Sequence, residues 1–211
     1  MTSEAIRVSV LRPMDLVEEA GYLRLLSRLL AAPPDAETAH DAITVGLLDS
    51  RPLEDLQVEY TRLFSAPGSD AVPVFQSVYT DLLQMEAADP VKGCGGCGTA
   101  FPGGEFRGLL GGISTTELQR WYADSGFQSP VNEMADHISV ELAFLAHLMY
   151  REARASEIGE DTAPWSGLGE AFCARFLDRW LGEFTQKLAQ NATAKGGYLP
   201  LAAALAKFQK I

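Results

Sequence analysis

The sequence predicts an all-α protein, one helical domain of about seven to eight helices spanning residues 1–211. Three observations carry this expectation. Apolar residues recur at three- and four-residue spacing through most of the chain, the period of a helix with one buried face. Proline and glycine mostly punctuate those stretches. No internal repeat and no alternating apolar–polar run of useful length is present. A chain of 211 residues is long enough for a sizeable core and fits one domain better than two.

The elements follow in order. "MDLVEEAGYLRLLSRLLAAPP" sets Leu16, Leu23, Leu26 and Leu30 near one face and stops at Pro33-Pro34, which cannot continue a helix. "DAETAHDAITVGLL" follows, with Asp35 as N-cap. "PLEDLQVEYTRLFSAPG" starts at Pro52, a good first-turn residue, repeats Leu53, Leu56, Tyr60, Leu63 and Phe64 at helical spacing, and ends at Pro67-Gly68. "SVYTDLLQMEAADP" reads as a short helix closed by Pro90, and the glycine-rich residues 90–113 read as a long loop. Ser114 and Glu117 form a capping-box pair, so a helix restarts there. "ADHISVELAFLAHLMYREA" places Ile138, Leu142, Leu145 and Met149 on one stripe. "EAFCARFLDRWLGEFTQKLAQNA" reads as one helix with Leu177, Leu181, Phe184 and Leu188 on a stripe and Phe172, Phe176 and Trp180 beside it, a face wide enough for several neighbours. "YLPLAAALAKF" gives the last helix after Gly196-Gly197.

Composition narrows function. Hydrophobic residues make up 47% and charged residues 21%, as in a soluble globular protein. The net charge of -11 argues against nucleic acid, because nothing would neutralise a row of phosphates, and suits a cationic partner. Charged residues from Glu4 to Glu19 interrupt any signal-peptide core, and no apolar run reaches the roughly 20 residues of a membrane span. Three cysteines are too few for a disulfide scaffold, which favours a reducing, cytoplasmic setting.

Candidate chemistries are few. "GCGGCG" at residues 93–98 matches both a dinucleotide fingerprint and C-x-x-C. The fingerprint needs a strand before it and a helix after it, and Pro90 and "TAFPGGEFRGLLGG" supply neither. Cys94 and Cys97 are spaced to share a metal or form a reversible disulfide, but a structural zinc site wants four ligands. Cys173, in mid-helix, reads as a small apolar residue. Of three histidines, His40, His137 and His147, His137 shares a helical face with Glu141, as a metal or base pair or as a surface ion pair. No cofactor is implied. What stands out is residues 59–81, where Phe64, Phe75 and Tyr79 flank a chain reversal and either line an apolar groove or plug the core.

That segment resembles a signature of the TorD/DmsD family of cytoplasmic chaperones for molybdenum-containing redox enzymes, through Tyr60, Leu63, Phe64, Pro67, Gly68, Pro73, Ser77, Val78, Tyr79 and Asp81. A second signature resembles "ADHISVELAFLAHL", through Asp136, His137, Glu141, Leu142 and Phe144, and "FLDRWLGEF…YLPLAAALAKF" is a weaker third match. Phe75 stands where the family often has tryptophan, Ala66 replaces a glycine, and residues 90–113 look like an insertion. The resemblance implies a non-enzymatic, all-helical chaperone, monomer or exchange dimer, that binds a molybdoenzyme precursor, often by its twin-arginine leader. It holds the precursor in the cytoplasm, off the membrane, until cofactor insertion and folding are complete. Asp81, Asp136, Glu133, His137 and Glu141 are then the expected polar contacts, and Tyr60, Leu63, Phe64, Phe75, Tyr79 and Phe144 the expected groove lining. Two rival readings are a leader-independent assembly adaptor for a nitrate-reductase-like catalytic subunit and a metal-dependent helical hydrolase using His137 and Glu141. Burying about 500 Å² of apolar surface yields about 12 kcal/mol gross. Association costs of about 4–15 kcal/mol leave affinity in the micromolar range.

Overall fold

The computed structural model describes residues 13–85, 104–106, 108, 110–130, 133–193 and 196–208. The helices are α1 (Pro13–Ala31), α2 (Ala36–Thr44), α3 (Leu53–Tyr60), α4 (Gln76–Thr80), α5 (Ile113–Asp124), α6 (Ile138–Glu157), α7 (Ala163–Arg175), α8 (Leu181–Asn191) and α9 (Leu199–Lys207). A π-helical turn, Thr61–Ser65, prolongs α3, and a 3₁₀ turn, Leu177–Arg179, links α7 to α8. Two three-residue strands, β1 (Leu83–Met85) and β2 (Gly104–Phe106), pair antiparallel with Leu83 opposite Phe106. The all-α expectation holds, with this ribbon as its one exception among the described residues.

The periodic stripes become the core. Leu16, Leu23, Leu26 and Leu30 of α1 are buried, and α1 packs its length against α6. On α6, Ile138, Leu142, Leu145 and Met149 are buried, and α7 covers another side of the same helix. Asp35 caps α2 as expected, accepting from the Thr38 backbone N–H at 2.7 Å.

Three expectations are corrected. The helix beginning at Ser77 does not run to Pro90: it stops at Thr80, and the chain turns extended into β1. The Ser114–Glu117 capping box does not form. Instead the Asp81 carboxylate accepts from the Ser114 backbone N–H at 3.0 Å and from its hydroxyl at 2.9 Å, and Glu117 pairs with Arg175 at 3.1 Å. A carboxylate from another segment therefore satisfies the orphan donors at the start of α5. The segment 170–192 is two helices, not one, broken at Phe176 and Trp180. Neither glycine nor proline causes the break. It turns the Trp180 indole inward, where its N–H donates to Glu141 at 3.3 Å. The Cys94–Cys97 motif lies outside the described residues.

Gly112 explains part of the glycine-rich stretch. It precedes α5, and a Cβ there would run into the Asp81 carboxylate that caps the helix. Gly112→Ala should therefore lower stability in the same way as Asp81→Ala. Loss of such a cap costs about 1 kcal/mol, or about 2–4 °C in melting temperature for a chain of this size. Thermal unfolding of the two single variants and the double variant checks this. A double variant no worse than either single variant is expected, since both remove one interaction.

Candidate functional site

The two signature segments meet. Residues 74–77 run antiparallel to residues 136–138: the Ile138 N–H donates to the Val74 carbonyl at 2.8 Å, and the Gln76 N–H donates to the Asp136 carbonyl at 2.8 Å. Phe75 lies opposite His137 in this pairing, with the rings edge to face at 5.1 Å. The Asp136 carboxylate caps α4, accepting from the Ser77 N–H at 3.1 Å and from the Ser77 hydroxyl at 2.5 Å. His137 caps α6, its Nδ1 accepting from the Ser139 N–H at 3.1 Å. The Ser27 hydroxyl donates to the Ser139 carbonyl at 2.7 Å, and the Tyr122 hydroxyl donates to the Ala135 carbonyl at 2.9 Å.

This junction faces inward. Asp136 and Glu141 are 0% exposed and His137 is 6% exposed. The sequence placed these three as polar contacts for a partner. In the structure they contact protein: a helix start, a tryptophan N–H and a second helix start. His137 and Glu141 are both buried, so they form no surface ion pair. Among the described residues no group of three or more His, Cys, Asp and Glu side chains is placed to hold a metal ion. Burial pushes the His137 imidazole down to about 4, partly offset by Asp136. Burial pushes the Glu141 carboxyl well up, aided by Asp136 and opposed by the Trp180 hydrogen bond.

The expected groove residues are distributed similarly. Leu63 and Phe144 are 0% exposed. The Tyr60 hydroxyl donates to the Leu30 carbonyl at 3.2 Å, and Tyr79 donates to the Pro73 carbonyl at 2.7 Å with its ring 5.2 Å from Trp180. Phe64 is half-buried between Tyr60 and Tyr198, at 5.1 and 5.9 Å. Phe75, Asp81 and Glu133 also keep some exposure. Of the three aromatics at the chain reversal, Tyr79 is buried in the core, and Phe64 and Phe75 are partly buried against it.

A separate groove lies among α1, α6, α7 and α9. Its volume is about 530 Å³, within the range of roughly 300–1,000 Å³ typical of ligand clefts. Leu23, Leu145, Leu148, Met149 and Ala204 form an apolar floor, with Tyr22, Trp165 and Phe208 as aromatic walls. Five carboxylates line it, Asp15, Glu18, Glu19, Glu152 and Glu170, against one lysine, Lys207. Two of these carboxyls are raised. Burial, then Asp15, raises the Glu19 carboxyl; burial, then Glu170, raises Glu152. Cys173 is in the lining, and burial pushes its thiol up to about 12, so it is an inert apolar contact as the sequence suggested.

The sequence reading missed this groove because four helices distant along the chain compose it. One signal was available. Glu152 continues the apolar stripe of Leu145 and Met149, a carboxylate where the helical period calls for a hydrophobic residue.

An apolar trough lined by carboxylates has the shape and chemistry to receive a segment of another chain. The sequence profile of the family described as "Nitrate reductase delta subunit" matches residues 30–186. The chain belongs to that family, whose TorD-like members are the maturation chaperones that the two signatures resemble. The chlorate reductase assembly chaperone protein of Ideonella dechloratans is 28% identical over 184 residues, covering 86% of this chain and 81% of that one. The selenate reductase assembly chaperone protein of Thauera selenatis is 35% identical over 86 residues, covering 40% of this chain and 45% of that one. A crystal structure of a candidate redox enzyme maturation protein from Archaeoglobus fulgidus aligns with a TM-score of 0.49 and 21% identity, covering 90% of this chain and 91% of that one.

The two buried titrating groups predict opposite pH effects. His137 is held neutral, so its contribution is complete above its ordinary value of 6.5 and is lost as pH falls toward 4, about 3 kcal/mol in all. Burial raises the Glu141 carboxyl, so its contribution is complete below the ordinary 4.5 and is lost as pH rises through its raised value. His137→Asn, which keeps a capping side chain, should flatten the acid side of the stability profile. Glu141→Gln should flatten the neutral side and melt at or above wild type near neutral pH. Melting curves across the pH range check both.

Proposed function

We propose that this protein is a cytoplasmic assembly chaperone for a molybdenum-containing oxidoreductase. In this reading it binds the twin-arginine leader of the precursor and holds the precursor until cofactor insertion and folding are complete. The observation that carries the reading is the groove: an apolar floor for the hydrophobic stretch of a leader and five carboxylates against one lysine for its cationic head. Membership of the family and the names of the two relatives supply the class of client. Among the described residues no helix is long and apolar enough to cross a membrane.

The division of labour is physical. The signature residues Tyr60, Leu63, Tyr79, Asp136, His137, Glu141 and Phe144 hold the frame that sets the walls of the groove, and the leader meets α1, α6, α7 and α9. Apolar burial supplies most of the affinity. The rim charges, being partly exposed, contribute about 1 kcal/mol or less each and chiefly set orientation and selectivity.

The test is calorimetry of the full chain with a synthetic peptide carrying adjacent arginines and an apolar run. Micromolar binding is expected. Tyr22 and Phe208 are half-buried groove residues whose rings stack at 6.4 Å. Replacing both by alanine should weaken the peptide at least about tenfold, a loss of about 1.4 kcal/mol, with little change in melting temperature. Unaltered binding would move the site elsewhere. Equal capture of a client with and without its leader would favour a leader-independent adaptor.

A further inference from the structure

We propose that the buried junction holds one ordered water, bound between the Asp136 and Glu141 carboxyls and the Gln76 side-chain amide, where it joins α4 to α6. This site belongs to the frame and does not depend on what the groove receives.

Two observations carry it. Four polar atoms there have no hydrogen-bond partner among the described residues: Asp136 Oδ1, Glu141 Oε1, and Oε1 and Nε2 of Gln76. All three residues are 0% exposed, and buried polar atoms are ordinarily paired with protein or with water. The other oxygen of each carboxyl obeys that rule. Asp136 Oδ2 accepts from Ser77, and Glu141 Oε2 accepts from the Trp180 indole at 3.3 Å. The second observation is that the chain brings these groups to one place. His137 is the N-cap of α6, so Asp136 is the residue before the cap and Glu141 is the fourth residue of the helix. Side chains at those two positions meet across the first turn, ordinarily as a pair of apolar residues in contact. Here both are carboxyls, and the Asp136 charge acts on Glu141. Gln76 enters at the same point, its N–H donating to the Asp136 carbonyl at 2.8 Å.

The donors and acceptors fit water. Oε2 of Glu141 is taken as an acceptor, and burial pushes this carboxyl toward its protonated form, so Oε1 is the oxygen left to carry the proton. It then needs an acceptor, while Asp136 Oδ1 needs a donor. One water accepts from the first and donates to the second. The Gln76 amide supplies the third bond, as donor or acceptor, which gives the roughly three partners usual for a buried water. A metal ion fits less well, since among the described residues no third His, Cys, Asp or Glu side chain joins the two carboxyls. The water ties together the starts of three helices: α4, capped by Asp136; α6, capped by His137; and α8, whose N-cap Trp180 donates to Glu141.

Two measurements on the full chain test this. The first is a crystal structure at a resolution that shows ordered water. A peak within about 2.6–3.2 Å of both Asp136 Oδ1 and Glu141 Oε1 is expected. A direct hydrogen bond between the two carboxyls, a Gln76 amide bridging them with no water, or an anomalous peak marking a metal ion would each overturn the proposal. The second is oxygen-17 relaxation dispersion in solution, which counts waters held inside the protein for longer than it tumbles. Glu141→Met, an apolar side chain of similar length, should lose the dispersion amplitude of one water. Glu141→Gln, which keeps a donor and an acceptor, should retain it. Circular dichroism confirms that both variants are folded. Equal amplitudes in wild type and folded Glu141→Met would overturn the proposal. Where Glu141→Met fails to fold, the wild-type crystal structure decides alone.

Discussion

The structure depends on one crossing, where residues 74–77 run antiparallel to residues 136–138. Two backbone hydrogen bonds and the Asp136 carboxylate close it. Each of three polar side chains then starts one helix. Asp136 caps α4, His137 caps α6, and Asp81, at the exit of α4, caps α5. The caps work in series, because the position of Asp81 follows from α4, and α4 is anchored by Asp136. Helix starts expose four unpaired donors each, so a buried start without such an acceptor would be costly. The crossing therefore fixes the direction in which α6 leaves, and α6 is the helix against which α1 and α7 pack. Three of the four walls of the groove are referred to that one junction.

The same junction keeps its charge low. Burial pushes the His137 imidazole toward its neutral form and the Glu141 carboxyl toward its protonated form. Asp136, which accepts two hydrogen bonds from Ser77, is the carboxylate with donors supplied. The groove follows a different rule. Its carboxylates sit at a cleft where water or a cationic side chain can reach them, and five of them share the lining with a single lysine. The protein thus uses acidic residues in two ways: inside, singly, as hydrogen-bond acceptors for helix starts; at the groove, together, as a field of one sign.

Much of the fold was legible because it rests on period and punctuation. Leu16, Leu23, Leu26 and Leu30 had to be buried together, and Asp35 had to begin a helix. What was illegible was tertiary. Ser114 and Glu117 satisfy the local rule for a capping box, yet Asp81 displaces it from 33 residues away. The break before Trp180 has no local breaker, and it accompanies a hydrogen bond from the Trp180 indole to Glu141 on another helix. The polar residues of the signatures were read outward for the same reason. Asp136, His137 and Glu141 have the polarity of a binding site in a linear reading, and only the packing shows that they serve helix starts and a buried indole. The groove combines Tyr22, Glu152, Trp165 and Phe208, residues with no common motif.

That separation of frame from groove has a functional consequence. The frame tolerates little change, since each of its groups answers a specific donor or acceptor. The groove asks less of its residues: an apolar floor, aromatic walls and a surplus of carboxylates at the edge. A surface of this kind accepts segments of varied sequence provided they are greasy and cationic, and its affinity comes from area more than from fixed hydrogen bonds. Such binding is moderate and reversible, because ordering a flexible segment offsets much of the apolar gain. A chaperone needs that balance: a grip strong enough to delay a client, and weak enough to be broken once the client has folded.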